Sequence, residues 1–272
     1  MSYISHNWKE YFTNPHEGLG TTYERFVLHK YFEKIKNKYD IKNILEVPSF
    51  GMTGVSGINS MWWATKDINV TLVDNDKERI SLIENVWNSV NLKAEFSFCN
   101  NFTSLPFSDK SFDLSWNFAA LWFVPDLREF LGELSRVTKK LIFICIPNKY
   151  GLGYIWRSFF EKDTSLKNIN PRLIISTMNN LGWKLDEKGY FDIPPWPDIA
   201  MKKEDLLKKV GLGKLIKEKT NEVEERVCIL DFFNGKNKNL ENEIMKYSFL
   251  ENSPLFFKFF WAHHQYFIFR TW

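Results

Sequence analysis

The stretch that most constrains the fold is residues 41–54, where an apolar run carrying Glu46 breaks into a turn that ends at Gly54. A second apolar run, residues 70–73, ends in Asp74. A strand, a glycine turn, a helix and a carboxylate-tipped strand open a nucleotide-type α/β site, because glycines let the backbone approach a ligand and the carboxylate can accept hydrogen bonds from ribose hydroxyls. The turn departs from Gly-x-Gly-x-x-Gly, so its ligand has to be inferred from the surrounding residues.

The rest of the chain alternates between strand-like apolar runs and helical periodicity. This predicts an α/β fold with a doubly wound, mostly parallel seven-stranded sheet and right-handed crossovers. The predicted strands span residues 43–48, 69–74, 94–99, 112–117, 141–146, 183–193 and 262–269. The predicted helices span residues 22–39, 56–66, 76–90, 126–138 and 170–182.

Breaks in this alternation divide the chain into four parts. Residues 1–40 are predicted to be an N-terminal helical cap, and residues 41–193 the ligand-binding core. Residues 194–254, which begin with a proline-rich break and are rich in Lys and Glu, are predicted to be a late helical insertion. Residues 255–272 then supply the final strand, which completes the core sheet.

The composition argues against several classes of protein. With 272 residues and a net charge of +3, the chain lacks the concentrated basic face of a nucleic-acid binder. Its first residues do not have the basic-then-apolar order of a signal peptide, and no apolar run is long enough to span a bilayer. The three cysteines lack paired or metal-like spacing, which fits a reducing compartment. We therefore expect a cytoplasmic protein with no transmembrane segment and no nucleic-acid partner.

Aromatic residues make up 17% of the chain and crowd into a few segments. The simpler interpretation is a core rich in phenylalanine. The alternative is a large apolar pocket or a face that touches a membrane, since aromatic rings dominate the lining of ligand pockets. Both interpretations, and with them peripheral membrane contact, stay open at this point.

Three ordered segments resemble the class I S-adenosylmethionine-dependent methyltransferases, specifically the group called type 11. Residues 103–113 (Thr-Ser-Leu-Pro-Phe-Ser-Asp-Lys-Ser-Phe-Asp) are similar to the family's LPF-x-D-x-SFD run before the fourth strand. Residues 121–126 resemble the segment that ends in Pro-Asp, and residues 131–137 resemble the L-x-E-x-x-R-V helix. The resemblance covers residues 41–148, more loosely residues 149–193, and implies a Rossmann-like methyltransferase fold.

The resemblance also implies S-adenosylmethionine as the cofactor and S-adenosylhomocysteine as the product. It makes Asp74 the acceptor for the ribose hydroxyls, sets Glu46 near the ammonium and sulfonium groups, and lets the Asn101 amide accept a hydrogen bond from adenine. Each residue has a structural alternative: a helix cap for Asp74, a loop-fixing acid for Glu46 and a surface loop for Asn101. The implied cofactor-binding residues are Glu46, Pro48, Gly51, Gly54, Asp74, Asn75, Asn101, Phe102 and Asn117.

Candidate catalytic residues are fewer. Asn117 lies at the end of the fourth strand, where the methyl group and the substrate meet in this fold. Phe102, among the cofactor-binding candidates, either stacks beside adenine or belongs to the core. Methyl transfer is an in-line displacement that needs a general base only when the nucleophile is protonated. His16 in the N-terminal loop and His263 in the last strand are candidate bases, each with a purely structural role as the alternative. No cluster of His, Cys and carboxylates has ligand spacing along the sequence, so no metal site is expected.

Two departures from the family pattern leave a second hypothesis open. Pro48 stands where the first glycine of the usual turn is expected, and Asn101 stands where the family usually has an acid. The leading hypothesis is a methyltransferase that acts on a small molecule, with an apolar, aromatic or lipid-like acceptor. The alternative is a degenerate, non-catalytic member of the fold that acts by binding. The sequence predicts neither the acceptor atom nor the oligomeric state.

Overall fold

The computed structural model describes residues 8–50, 54–155, 168–193 and 228–271. In these ranges the strands form one seven-stranded sheet in the order β3-β2-β1-β4-β5-β7-β6. The strands are β1 (Asn43–Glu46), β2 (Asn69–Asp74), β3 (Glu95–Phe98), β4 (Phe112–Phe118), β5 (Thr138–Pro147), β6 (Lys184–Phe191) and β7 (His264–Arg270). The predicted seven-stranded sheet is confirmed, and every observed strand overlaps a predicted one.

The direction and order of the strands predict where a ligand would bind. β1 to β5 pair in parallel, whereas β7 lies between β5 and β6 and runs antiparallel to both. The chain leaves β1 on one side towards β2 and β3, and then returns to pair β4 on the other side of β1. Ligands of open α/β sheets bind beyond the carboxyl ends of the strands at such a reversal. The ends of β1, β2 and β4 are therefore the place to look for a site.

Three of the described helices begin where the sequence supplies a side-chain cap. Asp76 accepts hydrogen bonds from the backbone N–H groups of Glu78 and Arg79, and Asp126 and Asn170 cap two later helices in the same way. The helices of the core are α1 (Trp8–Thr13), α2 (Leu19–Lys38), α3 (Met61–Ala64), α4 (Lys77–Ser89), α5 (Leu127–Val137) and α6 (Pro171–Asn180). The predicted bounds of α4 and α5 agree with these to within one residue at each end.

The helix predicted over residues 56–66 is the clearest error, because only α3 is helical there. The cause is Gly57, which has a left-handed backbone (φ 70°). A Cβ atom at this position would lie 2.8 Å from the side chain of Ile83, and the Gly57 carbonyl accepts a hydrogen bond from Trp87 Nε1 at 2.8 Å. Packing against α4 therefore fixes Gly57 in a turn and delays the helix.

The sheet separates two apolar cores. On one face α2 packs over the strands, and the rings of Phe32 and Trp116 lie 4.8 Å apart. On the other face α5 covers the strands, and the rings of Phe102 and Phe130 lie 6.4 Å apart. Much of the aromatic content is therefore core, as the simpler interpretation predicted.

The two motif segments at residues 103–113 and 131–137 form one structural unit. Glu133 accepts a hydrogen bond from the backbone N–H of Leu105 at 2.8 Å. Arg136 donates to the carbonyls of Leu105 and Phe107, at 3.1 and 2.8 Å, and to Asp109 at 2.8 Å. The acid and the arginine of the helix motif thus hold the loop that carries the other motif, so both motifs mark the scaffold of the fold.

The C-terminal part contains α7 (Leu230–Phe233), α8 (Leu240–Ile244), a 3₁₀ helix (Met245–Asn252) and α9 (Leu255–Trp261). α7, α8 and the 3₁₀ helix lie in the predicted insertion, of which residues 194–227 lie outside the described residues. α9 lies in the segment predicted to supply the final strand, and the strand itself begins only at His264. α9 leaves the side chain of Phe256 77% exposed. Among the described helices none combines the length and the hydropathy needed to cross a bilayer. The predicted domain boundaries stay a prediction.

Candidate functional site

Three polar side chains lie at the carboxyl ends of neighbouring strands. Glu46 ends β1, Asp74 ends β2 and Asn117 is the penultimate residue of β4. All three are buried, Glu46 at 1% exposure. Because these strands are adjacent in the sheet, the structure brings together residues that the sequence analysis had selected separately.

Glu46 is a buried acid whose negative charge the surrounding residues compensate only in part. Burial raises its pKa to about 8, although hydrogen bonds from Ser60 and the charge of Arg25 act in the opposite direction. Its Oε2 atom has no hydrogen-bond partner among the residues that the structure describes. A buried acid in this state keeps its proton at neutral pH and gives it up when a cationic group arrives.

Asp74, by contrast, already has a cationic partner. Arg79 reaches back from the first turn of α4 and donates to both carboxylate oxygens, from Nε at 3.0 Å and from Nη2 at 2.5 Å. The Ser49 hydroxyl and the Asp76 backbone N–H donate to the same carboxylate at 3.0 and 2.9 Å. Each oxygen of this carboxylate thus has two donors, so a further donor could bind only by displacing Arg79 or Ser49.

Aromatic rings cover Arg79. Its guanidinium carbon lies 4.0 Å from the ring centre of Phe50 and 5.1 Å from that of Trp8 in α1. A salt bridge between Lys9 and Glu78, at 2.6 Å, further ties α1 to α4. Arg79 was not among the residues predicted for the site. Its place one helical turn beyond the capping Asp76 was the available signal, because such a residue can reach back to the end of the preceding strand.

The turn after β1 is anchored on two sides. Beyond Pro48, which follows a cis peptide bond, Ser49 donates its backbone N–H to the Val73 carbonyl at 2.9 Å. On the far side Gly54 has a left-handed backbone (φ 72°), and a Cβ there would lie 2.5 Å from Glu17 Oε1. Gly51, between these anchors, lies outside the described residues.

A buried ion pair explains the close approach at Gly54. Glu17 and Arg25 form two hydrogen bonds, at 2.5 and 2.6 Å, and Glu17 also accepts from the Val55 N–H at 2.6 Å. Arg25 donates further to Asn59 at 2.5 Å and to the Val55 carbonyl at 2.9 Å. The N-terminal segment thus holds the glycine turn in place, a role that sequence reasoning missed because the partners lie far apart along the chain.

The residues selected for the adenine side differ in exposure. Asn75 is exposed, and its Oδ1 accepts from Arg79 at 3.2 Å. Asn101 is also exposed, and its Oδ1 accepts from the Thr103 hydroxyl at 3.2 Å. Phe102 is buried in the core. Their assignment to cofactor binding stays a prediction.

Unpartnered polar atoms gather around the end of β4. Neither amide atom of Asn117 has a hydrogen-bond partner within the described residues, and the same holds for Trp122 Nε1. Ala119 has a left-handed backbone (φ 47°), which costs a non-glycine residue about 1–2 kcal/mol. Unsatisfied buried groups and local strain typically cluster where a ligand completes the site.

The candidate histidines lie at different positions. His16 is exposed in the loop before α2, and His263 Nδ1 lies 3.0 Å from Asp192 Oδ2. His264, the neighbour of His263 and the first residue of β7, has its ring 4.7 Å from that of Phe118, the last residue of β4. Although burial acts to raise the pKa of Asp192, the two neighbouring histidines lower it. Catalytic roles for His16 and His263 stay predictions.

Comparison with known proteins agrees with this geometry. Residues 51–144 match the family model described as a methyltransferase domain, type 11. The match begins inside the turn after β1, beyond Glu46 and Pro48. No curated protein matches the chain.

Solved structures with a similar fold share little sequence. The [4+2]-cyclase SpnF is 12% identical over 89% of this chain and 80% of its own, with a TM-score of 0.52. The YcgJ protein from Bacillus subtilis is 12% identical over 89% of this chain and 98% of its own, with a TM-score of 0.51. A putative sarcosine dimethylglycine methyltransferase from Galdieria sulphuraria is 12% identical over 89% of this chain and 84% of its own, also with a TM-score of 0.51. At such identities the likeness is one of fold.

Proposed function

We propose that this chain, which carries a class I, type 11-like methyltransferase domain, transfers a methyl group from S-adenosylmethionine to a small, apolar acceptor. The observation that carries the proposal is the pair Glu46 and Asn117. Both have buried polar atoms without partners among the described residues, and both lie at the switch point of the sheet. A polar ligand placed between the ends of β1 and β4 would satisfy them.

Each residue has a definite task in this proposal. Glu46 as a carboxylate offsets the positive charge of the cofactor, and Asp74 holds the ribose. Asn117 orients polar groups next to the reacting centre. S-adenosylmethionine, when bound, supplies an electrophilic methyl group on a sulfonium. The protein aligns the acceptor with that group and excludes water, which is the main requirement of an in-line displacement.

Arg79 has to exchange partners before ribose can bind. The Asp74 carboxylate that it holds is the best ribose acceptor at this edge, because it ends β2 beside the turn. Phe50 and Trp8 cover the guanidinium, so its release requires movement of the turn or of α1. The described residues therefore fit the cofactor at β1 and β4 directly, and at β2 after this exchange.

The surroundings of the site support an apolar acceptor. The rings of Phe50 and Phe123 lie 4.6 Å apart, Trp122 contacts Phe123 at 5.3 Å, and Phe118 lies beyond Asn117. A small-molecule acceptor also fits the name of one structural neighbour, the sarcosine dimethylglycine methyltransferase. The three cysteines are buried and unpaired, which supports the proposed cytoplasmic location.

A second candidate is a protein that keeps the fold but does not transfer methyl groups. The bidentate bond of Arg79 to Asp74 favours it, since a permanent ion pair there would exclude ribose. The similarity to a cyclase shows that the fold also occurs in a protein named for a different reaction.

Calorimetric titration with S-adenosylmethionine and S-adenosylhomocysteine tests the proposal. We expect both to bind, and Asp74→Asn to weaken binding by about 1.5–3 kcal/mol through the loss of charged hydrogen bonds. Asp76→Asn is the matched control, because it removes the same charge two residues away and asparagine still caps α4. The absence of binding at millimolar cofactor would favour the second candidate. Equal affinities of the two variants would show that Asp74 does not bind the ribose.

A further inference from the structure

A second cluster of buried polar groups lies further along the same edge of the sheet. Glu24 comes from α2, Asp192 follows β6 and His264 begins β7. His264 Nδ1 lies 3.7 Å from Glu24 Oε2 and 3.5 Å from Asp192 Oδ2. One oxygen of each carboxylate and one imidazole nitrogen all lie within 4.8 Å of one another. We call these three residues the histidine cluster.

The cluster is buried and rich in negative charge. Side-chain exposure is 10% for Glu24, 10% for His264 and 2% for Asp192. A third carboxylate, Glu251, lies nearby and accepts from the Ile193 N–H at 2.7 Å and from the Tyr23 hydroxyl at 3.1 Å. Removing carboxylates from water costs several kcal/mol each unless a cation compensates them. Among the described residues His263 pairs with Asp192 at 3.0 Å, and the positive charges of Arg25 and Lys258 act on Glu24 and Glu251. A bound cation would add to this compensation at the centre of the cluster.

The Nδ1 atom of His264 is the observation that indicates a bound ion. His264 Nδ1 has no hydrogen-bond partner among the described residues, although it lies next to two carboxylate oxygens. A histidine that only supported the structure would normally donate a hydrogen bond to one of them. A nitrogen held just beyond hydrogen-bond distance of two carboxylates is the arrangement expected when all three atoms face a common ion.

From these contacts we propose that Glu24, Asp192 and His264 bind a divalent transition-metal ion, for which Zn²⁺ is the best-fitting probe. Around an ion at about 2.1 Å from each ligand, tetrahedral geometry separates the ligand atoms by about 3.4 Å. The observed 3.5 and 3.7 Å are close to that value. One imidazole and two carboxylates favour Zn²⁺ and its neighbours over Mg²⁺ or Ca²⁺, which prefer oxygen ligands alone.

The surroundings complete such a site. His263 holds the Asp192 carboxylate from outside the cluster, as residues around metal ligands commonly do. Three protein ligands leave a fourth position for water or for an oxygen of another molecule. Since the ring of Phe118 packs on His264, this position lies beside the end of β4, on the acceptor side of the proposed reaction. The metal site itself does not depend on methyl transfer.

Titration of the chelator-treated, full-length protein with Zn²⁺ tests the inference. We expect one ion per chain with a dissociation constant of about one micromolar or lower, and much weaker binding of Mg²⁺. Glu24→Gln and His264→Gln should each weaken Zn²⁺ binding by about 100-fold or more. Glu251→Gln is the matched control: it removes a neighbouring charge but no proposed ligand, so the affinity should change little.

Substitution of Co²⁺ adds a readout that folding defects of the variants cannot mimic. The wild-type protein should give visible absorption of a four-coordinate ion with nitrogen and oxygen ligands and no sulfur charge-transfer band. A sulfur band would place the ion on a cysteine and overturn the assignment. So would wild-type protein that fails to bind Zn²⁺ up to millimolar concentration, or equal weakening by the Glu251 control.

Discussion

The two polar sites at one edge of the sheet differ in how their buried charged groups are compensated. In the cofactor half, made of Glu46, Asp74 and Asn117, Asp74 has the guanidinium of Arg79 and Glu46 keeps a proton. In the histidine half, made of Glu24, Asp192 and His264, the imidazole of His263 pairs with Asp192, and the Nδ1 atom of His264 has no hydrogen-bond partner among the described residues. The chain itself therefore neutralises the cofactor half, whereas the histidine half keeps a buried nitrogen that the proposed ion would bind.

A single helix connects the two halves. Arg25 on α2 holds the glycine turn through Glu17 and Asn59, while the adjacent Glu24 belongs to the histidine half. Consecutive residues of one helix thus reach both sites. A change in the position of α2 would therefore affect the turn after β1 and the histidine half together.

The largest expected effect comes from the proton on Glu46. Its pKa in the folded protein is about 8, above the ordinary value of 4.5, so the folded state binds the proton more tightly than the unfolded state. The stabilisation is complete below pH 4.5 and is lost as the pH rises through 8, by about 1.4 kcal/mol per pH unit. Relative to Glu46→Gln, the free energy of unfolding should therefore fall by about 4–5 kcal/mol across this range.

Denaturant unfolding of both proteins at several pH values measures this difference. Glu95→Gln, on the exposed start of β3, is the control and should follow the wild-type pH dependence. A constant difference between wild type and Glu46→Gln from pH 4.5 to 9 would show that Glu46 is charged throughout, and the contrast with Asp74 would disappear.

Arg79 gives the next largest effect. Arg79→Ala leaves the fully buried Asp74 carboxylate without its cation, which typically costs about 3–5 kcal/mol. Lys9→Ala removes a salt bridge in which both side chains are 58% exposed, and should cost less than about 1 kcal/mol. Denaturant unfolding of the two variants compares these costs. A small loss for Arg79→Ala would mean that Asp74 is compensated by other groups.

The same variant also separates the two proposed functions. If Arg79 only competes with ribose, S-adenosylmethionine should raise the unfolding temperature of Arg79→Ala more than that of the wild type. If a permanent ion pair is what excludes ribose, only Arg79→Ala should respond. If the fold has lost cofactor binding at other residues, neither protein should respond.

Gly54 tests how firmly the N-terminal segment holds the cofactor half. Gly54→Ala combines backbone strain with a Cβ placed 2.5 Å from Glu17 Oε1, so we expect a loss of about 2–4 kcal/mol in the free energy of unfolding. Gly182→Ala has a similar backbone (φ 85°) but no atom within 4 Å of its Cβ, and should cost only about 1–2 kcal/mol. Equal losses would mean that the ion pair adjusts without cost.

The sequence predicted the cofactor half better than the histidine half for a physical reason. Glu46, Asp74 and Asn117 each end an apolar run, and parallel strands necessarily bring such ends to one edge. Arg79 was missed because its role depends on a side-chain direction that the apolar pattern does not encode. The strongest family signals, at residues 103–113 and 131–137, proved to hold the scaffold together through Glu133 and Arg136.

The histidine half could not be found by spacing along the chain. Glu24, Asp192 and His264 come from three elements that meet only because β7 inserts between β5 and β6. The expectation that no metal binds rested on local ligand spacing, which detects sites built within one segment. Sites built from distant segments require the tertiary structure.

The smallest expected effect is also the most direct test of the comparison. In chelator-treated protein, Glu24→Gln keeps the shape of the side chain and removes a buried negative charge, whose transfer from water is costly. We therefore expect its free energy of unfolding to stay within about 1 kcal/mol of the wild type, or to rise. Adding Zn²⁺ should then stabilise the wild type but not the variant, because only the wild type binds the ion tightly. If Glu24→Gln instead loses as much stability as Arg79→Ala without metal, the histidine half is already neutralised by the chain.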